Sequence, residues 1–160
     1  MHTTRRFGPV DASLPYSPDI TCSEPWPRWD YLELGALPTA PGSARGHVGN
    51  VLREWQLSAF TETTQMVTSE LITNSIAATL AIRWPQSAPP VRLWLLANSA
   101  SVLVAAWDAV LGLPRLRQAD PGDESGRGLA IVAALSAEWD SYLCAMPYGG
   151  KVTWARIAHP

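Results

Sequence analysis

Three groups of residues have the types and spacing to do chemistry. Glu70 and Asn74 lie four apart in a run of helical period, so their side chains leave one face about a turn apart, beside Val67 and Leu71. A carboxylate and an amide on such an apolar edge would be partly desolvated. Asp108 ends the β-rich run Val102 to Trp107, just before an irregular stretch. A carboxylate at a strand terminus facing a cleft can accept a hydrogen bond from an exocyclic amine such as that of adenine. Gly126, Arg127, Gly128 and Leu129 open a further helical run. Glycines there let the backbone approach a ligand closely, and the free N–H groups of a helix start favour phosphate. Each group alone has a commonplace reading: a surface pair on a helix, a turn aspartate, a loop-to-helix junction. Their joint occurrence in this order carries far more weight than any one of them.

The elements that must position these residues follow from periodicity. Residues 1–28 hold five prolines and little apolar period, which predicts a poorly ordered extension. Trp29 to Leu37 reads as a short strand, with Tyr31, Leu32, Leu34 and Leu37 as its apolar residues. A helix starts at Pro41-Gly42-Ser43 and runs to about Trp55, with Val48 and Leu52 at helical spacing. A second helix covers about Glu62 to Ile82, with Ile72, Ile76 and Leu80 as a stripe, and stops before Pro85. Val91 to Leu96 and Val102 to Trp107 flank the polar turn Asn98-Ser99-Ala100-Ser101, the pattern of an antiparallel hairpin.

Residues 109–125 have no period, and a structureless stretch of that length suggests a functional loop. A helix from about Gly128 to Glu138 follows, with Leu129, Val132 and Leu135 facing inward. Trp139 to Ala145 and Lys151 to Ile157 then close the chain as two strands around Pro147-Tyr148-Gly149-Gly150. Helices gathered on one face of an antiparallel or mixed sheet make an α+β fold, a two-layer sandwich.

Bulk properties exclude several functions. The 160 residues carry 12 basic and 14 acidic side chains, a net charge of −2, so there is no basic footprint for nucleic acid. Lys151 is the only lysine and follows no glycine-rich run of P-loop spacing. Cys22 and Cys144 form no CxxC pair, which argues against a structural zinc site and a secreted disulfide scaffold. His2, His47 and His159 read as surface residues. Most of the tryptophans fall within or at the ends of elements, which suits packing in the core or against a partner. The N-terminal residues lack an apolar signal-peptide core, and no apolar run has membrane-spanning length. A cytoplasmic location, without membrane association, is the expectation.

With these residues in view, the sequence resembles the GHKL (Bergerat-fold) ATPase and kinase superfamily, and within it the anti-sigma-factor serine/threonine kinases. Thr68-Ser69-Glu70-Leu71-Ile72-Thr73-Asn74-Ser75 resembles the superfamily's N box. Trp107-Asp108 resembles the start of its first glycine box, and Asp123 to Leu129 its second. Gly149-Gly150-Lys151-Val152-Thr153-Trp154 is similar to the terminal strand pair of the stand-alone kinases, and Pro41 to Arg45 with Leu52 to Trp55 to their first helix. The similarity runs from about Trp29 to Ile157, with an ATP-binding domain spanning residues 29–158.

The resemblance implies roles residue by residue. Glu70 would be the general base for the attacking hydroxyl, and Asn74 would hold the Mg²⁺ that bridges the ATP phosphates. Asp108 would read the adenine amine, joined by Thr153 through water. Residues 109–125, with Gly112, would form the lid, and Gly126, Arg127, Gly128 and Leu129 would cradle phosphates. The implied partners are a STAS-domain antagonist, phosphorylated on Ser or Thr, and a sigma factor; the resemblance leaves a homodimer open. Two positions depart from the family pattern: Val110 stands where a glycine follows the aspartate by two, and Ala78 where a basic residue follows the asparagine by four. These departures suit the alternative, a non-catalytic, nucleotide-gated binding module of the same fold.

Overall fold

The computed structural model describes residues 26–114 and 127–159. Five strands form one antiparallel sheet in the order β1-β2-β3-β5-β4: β1 Arg28–Leu34, β2 Val91–Ala97, β3 Ser101–Asp108, β4 Glu138–Leu143 and β5 Lys151–Ala158. Three helices, α1 Ala40–Glu54, α2 Thr61–Leu80 and α3 Arg127–Leu135, complete an α+β architecture. A one-turn 3₁₀ segment, Ser58–Phe60, joins α1 to α2.

Strand alternation sorts the sheet's side chains into two faces. Leu93, Leu95, Val102, Val104, Ala106, Ala155 and Ile157 face the helices and pack with Val48, Leu52, Val67, Leu71, Ile72 and Val132. The other face carries Trp94, Leu96, Leu103, Ala105, Trp107, Val152 and Trp154, with Trp26, Trp29, Tyr31 and Tyr142 against them. The Arg92 guanidinium lies 4.7 Å from the centre of the Trp107 ring, and Tyr31 meets Trp94 at 5.3 Å. The tryptophans are therefore structural, but most of them build this second face rather than the helix-covered core.

The helix α2 is buried along one broad face, from Thr64 through Val67, Thr68, Leu71, Ile72, Ser75 and Ile76 to Thr79, and two threonines show how its polar residues tolerate that. The buried Thr64 and Thr79 hydroxyls donate to the Phe60 and Ser75 carbonyls at 2.7 and 2.8 Å. Pro41 sits in the first turn of α1, where its missing N–H costs nothing.

Several boundaries differ from the sequence reading. The expected extension reached residue 28, yet Arg28 already pairs with Ala97 in β1 and Trp26 packs on the second face. Residues 1–25 lie outside the described residues. The first strand ends at Leu34 rather than Leu37, because the chain turns at Gly35, where the carbonyl accepts the Leu37 N–H at 2.8 Å; Leu37 is 59% exposed. Leu80, expected in the core stripe, is 53% exposed. There α2 runs out: the Trp84 indole N–H donates to the Thr79 carbonyl at 2.8 Å and leaves Ile82 outside the helix. The last helix stops at Leu135, short of Glu138, because the Ala137 N–H pairs with the Arg156 carbonyl at 2.9 Å and draws the chain into the sheet. No described helix is long and apolar enough to cross a membrane.

Candidate functional site

A cavity of about 200 Å³ opens where α2, the end of β3 and the starts of β5 and α3 meet. Enclosed sites for whole drug-sized molecules run to roughly 300–1,000 Å³. A flat bicyclic base matches the smaller volume, and anything attached to it would extend outward.

From α2 the cavity receives Asn74, with Leu71, Ser75 and Ala78 around it. From the sheet it receives Asp108, Lys151 and Thr153, and from α3 Leu129. Val110 and Gly112, just beyond β3, complete the wall, and a side-chain carbon built on Gly112 would meet nothing within 4 Å. Five of the residues singled out in the sequence therefore line one space: Asn74, Asp108, Gly112, Leu129 and Thr153.

Glu70 and Arg127 are not among the lining residues. Glu70 is half-buried one turn before Asn74, and both side chains lie under the first turn of α3. A Cβ on Gly128 would stand 2.7 Å from Glu70 Oε2 and 3.3 Å from both terminal atoms of Asn74. Glycine at 128 is thus what lets the start of α3 close on the Glu70–Asn74 pair. Arg127 is exposed at the head of α3. Gly126, and residues 115–125 of the expected lid, lie outside the described residues.

Asp108 is more than the commonplace turn aspartate, although it makes that residue's usual contact to the N–H two residues on. It is 1% exposed and forms a buried ion pair with Lys151, whose Nζ donates to Oδ1 at 2.6 Å. The Val110 N–H also donates to Oδ1, at 3.0 Å. Oδ2, by contrast, is buried with no hydrogen-bond partner. An unmatched carboxylate oxygen of this kind costs about 1–3 kcal/mol, or more for a charged group. A donor from a ligand in the cavity would offset that cost.

Strand register creates the pair. Asp108 and Lys151 are opposite one another in the antiparallel β3–β5 ladder. The turn before β5 is held tightly in place: the Trp107 indole donates to the Gly149 carbonyl at 2.9 Å, and the Cys144 N–H to the Gly150 carbonyl at 2.9 Å. Gly149 and Gly150 have φ of 62° and 72°, and a side chain on Gly150 would collide with the Asp108 carbonyl oxygen. The sequence alone gives Lys151 no role at a site, because its spacing speaks only against a P-loop. The signal that could have found it was Gly149-Gly150, a tight turn delivering the next residue to a strand start. Thr153 Oγ1 accepts from the Ser141 hydroxyl at 2.9 Å and keeps its own proton for another acceptor.

Nearby, Cys144 is buried on the other face of the sheet, beside Trp107. Burial first, and the Asp108 carboxylate second, push its thiol pKa up to about 11, against a lowering by a Trp107 hydrogen bond. Among the described residues no three His, Cys, Asp or Glu side chains converge to hold a metal by themselves. A cation at this site would depend on ligand oxygens together with Asn74.

A scan of the chain against models of known protein families gives no match, and a search among curated proteins gives none.

Proposed function

We propose that this chain is a Mg·ATP-binding regulatory domain of the Bergerat (GHKL) type. By this reading it transfers the γ-phosphate to a Ser or Thr of a STAS-type antagonist, as the anti-sigma-factor kinases it resembles do. The observation that carries the reading is the unpartnered Asp108 Oδ2, buried in a base-sized cavity that Asn74, Thr153 and Leu129 also line. An exocyclic amine entering the cavity satisfies that oxygen. The Asn74 amide lies under the first turn of α3, where its oxygen would share a cation held by phosphates. Mg²⁺, when bound, supplies charge neutralisation on the phosphate oxygens. Glu70, half-exposed beyond Asn74, takes the proton of the attacking hydroxyl, and Gly128 lets the backbone N–H groups of α3 approach the phosphates.

One observation favours a second reading, a nucleotide-gated binding module without turnover. Ala78 lines the cavity where a phosphate-contacting cation would be expected, and the cavity's lysine is held against Asp108 at the sheet end. Two measurements separate the readings. Isothermal titration with ATP, with and without Mg²⁺, tests the site; Asn74→Ala should weaken binding about tenfold and only in the presence of Mg²⁺. Transfer from radiolabelled ATP to candidate STAS-domain proteins tests turnover. Absence of binding at millimolar Mg·ATP would overturn both readings; binding without transfer to any candidate would leave the second.

A further inference from the structure

We propose that Lys151 and Asp108 together read the edge of the bound base, and that this pair selects adenine over guanine. The inference rests on the nucleotide-binding reading above and adds to it a specificity-determining residue.

The hydrogen-bonding capacity of the pair is unusually well defined. Asp108 Oδ1 already accepts from Lys151 Nζ at 2.6 Å and from the Val110 N–H at 3.0 Å. Oδ2 accepts from nothing, so the carboxylate offers the cavity a single acceptor. Lys151 is 5% exposed and lines the same cavity. Its ammonium carries three N–H bonds, and Asp108 is its hydrogen-bond partner among the described residues. At least one donor is therefore left for a ligand. The buried end of the cavity thus presents one acceptor beside one donor.

Adenine presents the complement: a donor at the exocyclic amine and an acceptor at ring N1, side by side. The amine would donate to Asp108 Oδ2, and N1 would accept from Lys151 Nζ. Guanine presents an acceptor at O6 and then two donors, at N1 and at the 2-amino group. Lys151 and Oδ2 could meet the first two, but the 2-amino group would reach this carboxylate only by sharing Oδ2 with the N1–H, since both acceptor sites of Oδ1 are committed. A buried polar group left unpaired is what makes a site reject a near-isostere.

Lys151 can do this because of where the chain places it. Gly150, at φ 72°, leads the chain into β5, whose first residue Lys151 lies directly opposite Asp108, and the register holds the ammonium against the carboxylate. A lysine two residues away would fall on the same face of the sheet at Thr153, outside this pairing.

The test uses the full chain and varies the ligand before the protein. Titration with Mg·ATP, Mg·GTP and the Mg complex of 1-deaza-ATP, which keeps the amine but has C–H in place of N1, separates the two contacts. The expected result is binding of 1-deaza-ATP about tenfold weaker than ATP, and of GTP roughly a hundredfold weaker. In Lys151→Met, with folding checked by circular dichroism, ATP and 1-deaza-ATP should bind alike. Should that variant fail to fold, the wild-type ligand series decides alone. Equal wild-type affinity for ATP and 1-deaza-ATP would overturn the role of Lys151 while leaving nucleotide binding intact. No binding of any of the three would instead overturn the nucleotide reading on which it rests.

Discussion

The two ends of the cavity are built on different terms. At the sheet end, Asp108 and Lys151 are almost fully buried, cross-paired in adjacent strands, and held by a two-glycine turn that tolerates no side chain at 150. At the helix end, Glu70 and Asn74 are half-exposed on α2, and the contact above them is the single glycine at 128. One end is rigid and desolvated, so it suits recognition of a fixed shape. The other leaves its two polar side chains half-exposed, which suits groups that must meet a changing arrangement of charge. The contrast teaches that base recognition and stability should respond to substitution at the sheet end, and Mg²⁺-dependent binding and turnover to substitution at the helix end.

Breaking the sheet end should have the largest effect. Asp108→Ala leaves the Lys151 ammonium buried without a partner, and breaking a buried pair in that way costs about 3–5 kcal/mol. Denaturant unfolding should show that loss, and calorimetry should show no nucleotide binding. A variant as stable as the wild type would mean that the sheet end is not the rigid half.

Removing the proposed base at the helix end should move kinetics alone. Glu70→Ala is expected to lower phosphoryl transfer roughly 10²–10⁴-fold while leaving Mg·ATP affinity within about twofold, because a general base acts in the transition state. Single-turnover transfer and calorimetry on the same preparation make the comparison. Transfer at the wild-type rate would remove Glu70 from the mechanism.

Gly128→Ala sharpens the difference between packing and function. The new methyl group meets the ends of two flexible side chains, and alanine favours the helix, so stability should stay within about 1 kcal/mol. Displacing Glu70 and Asn74 should nevertheless weaken Mg·ATP binding by about tenfold. A large loss of stability, seen in a thermal melt, would show that the helix end is as tightly packed as the other.

The smallest expected effect is a pH dependence that reports on the sheet. Cys144 titrates near 11 when folded, against an ordinary value of 9.0, and burial with Glu33 pushes Tyr31 up to about 12 from 10.0. Both groups are neutral acids whose folded pKa is raised. Their contribution is therefore full below the unfolded values and is lost as pH rises from about 9 through 12. Denaturant midpoints should fall across that window. In a Cys22→Ser background, alkylation of Cys144 at pH 8 should be roughly a hundredfold slower than that of a free thiol, as the thiolate fraction dictates. Rapid alkylation would show that the thiol beside Trp107 is reachable and poorly desolvated.

Local signals in the chain determined a good deal. Asn98 sits where its side-chain oxygen accepts the N–H groups of Ala100 and Ser101, so the turn between β2 and β3 was legible from residue type alone. The spacing of Glu70 and Asn74 placed both on one helix face, and Gly149-Gly150 marked a tight turn. Element ends were less legible where a distant group intervenes. The stop after Leu80 depends on the Trp84 indole, and the stop at Leu135 on a carbonyl of β5.

What only the tertiary structure decided is which of these local pieces face one another. Nothing near Lys151 says that it meets Asp108, 43 residues earlier in the chain. That meeting is a property of two strands in one register, and a shift of one residue would send Lys151 to the tryptophan face. The partition of the tryptophans has the same origin: alternation along a strand defines two sets of side chains, but only packing decides which set the helices cover. Residue types and spacing thus determined which groups could do chemistry. Pairing between distant strands decided that one aspartate would be buried, with one oxygen paired and the other unpaired, in the wall of a cavity of about 200 Å³.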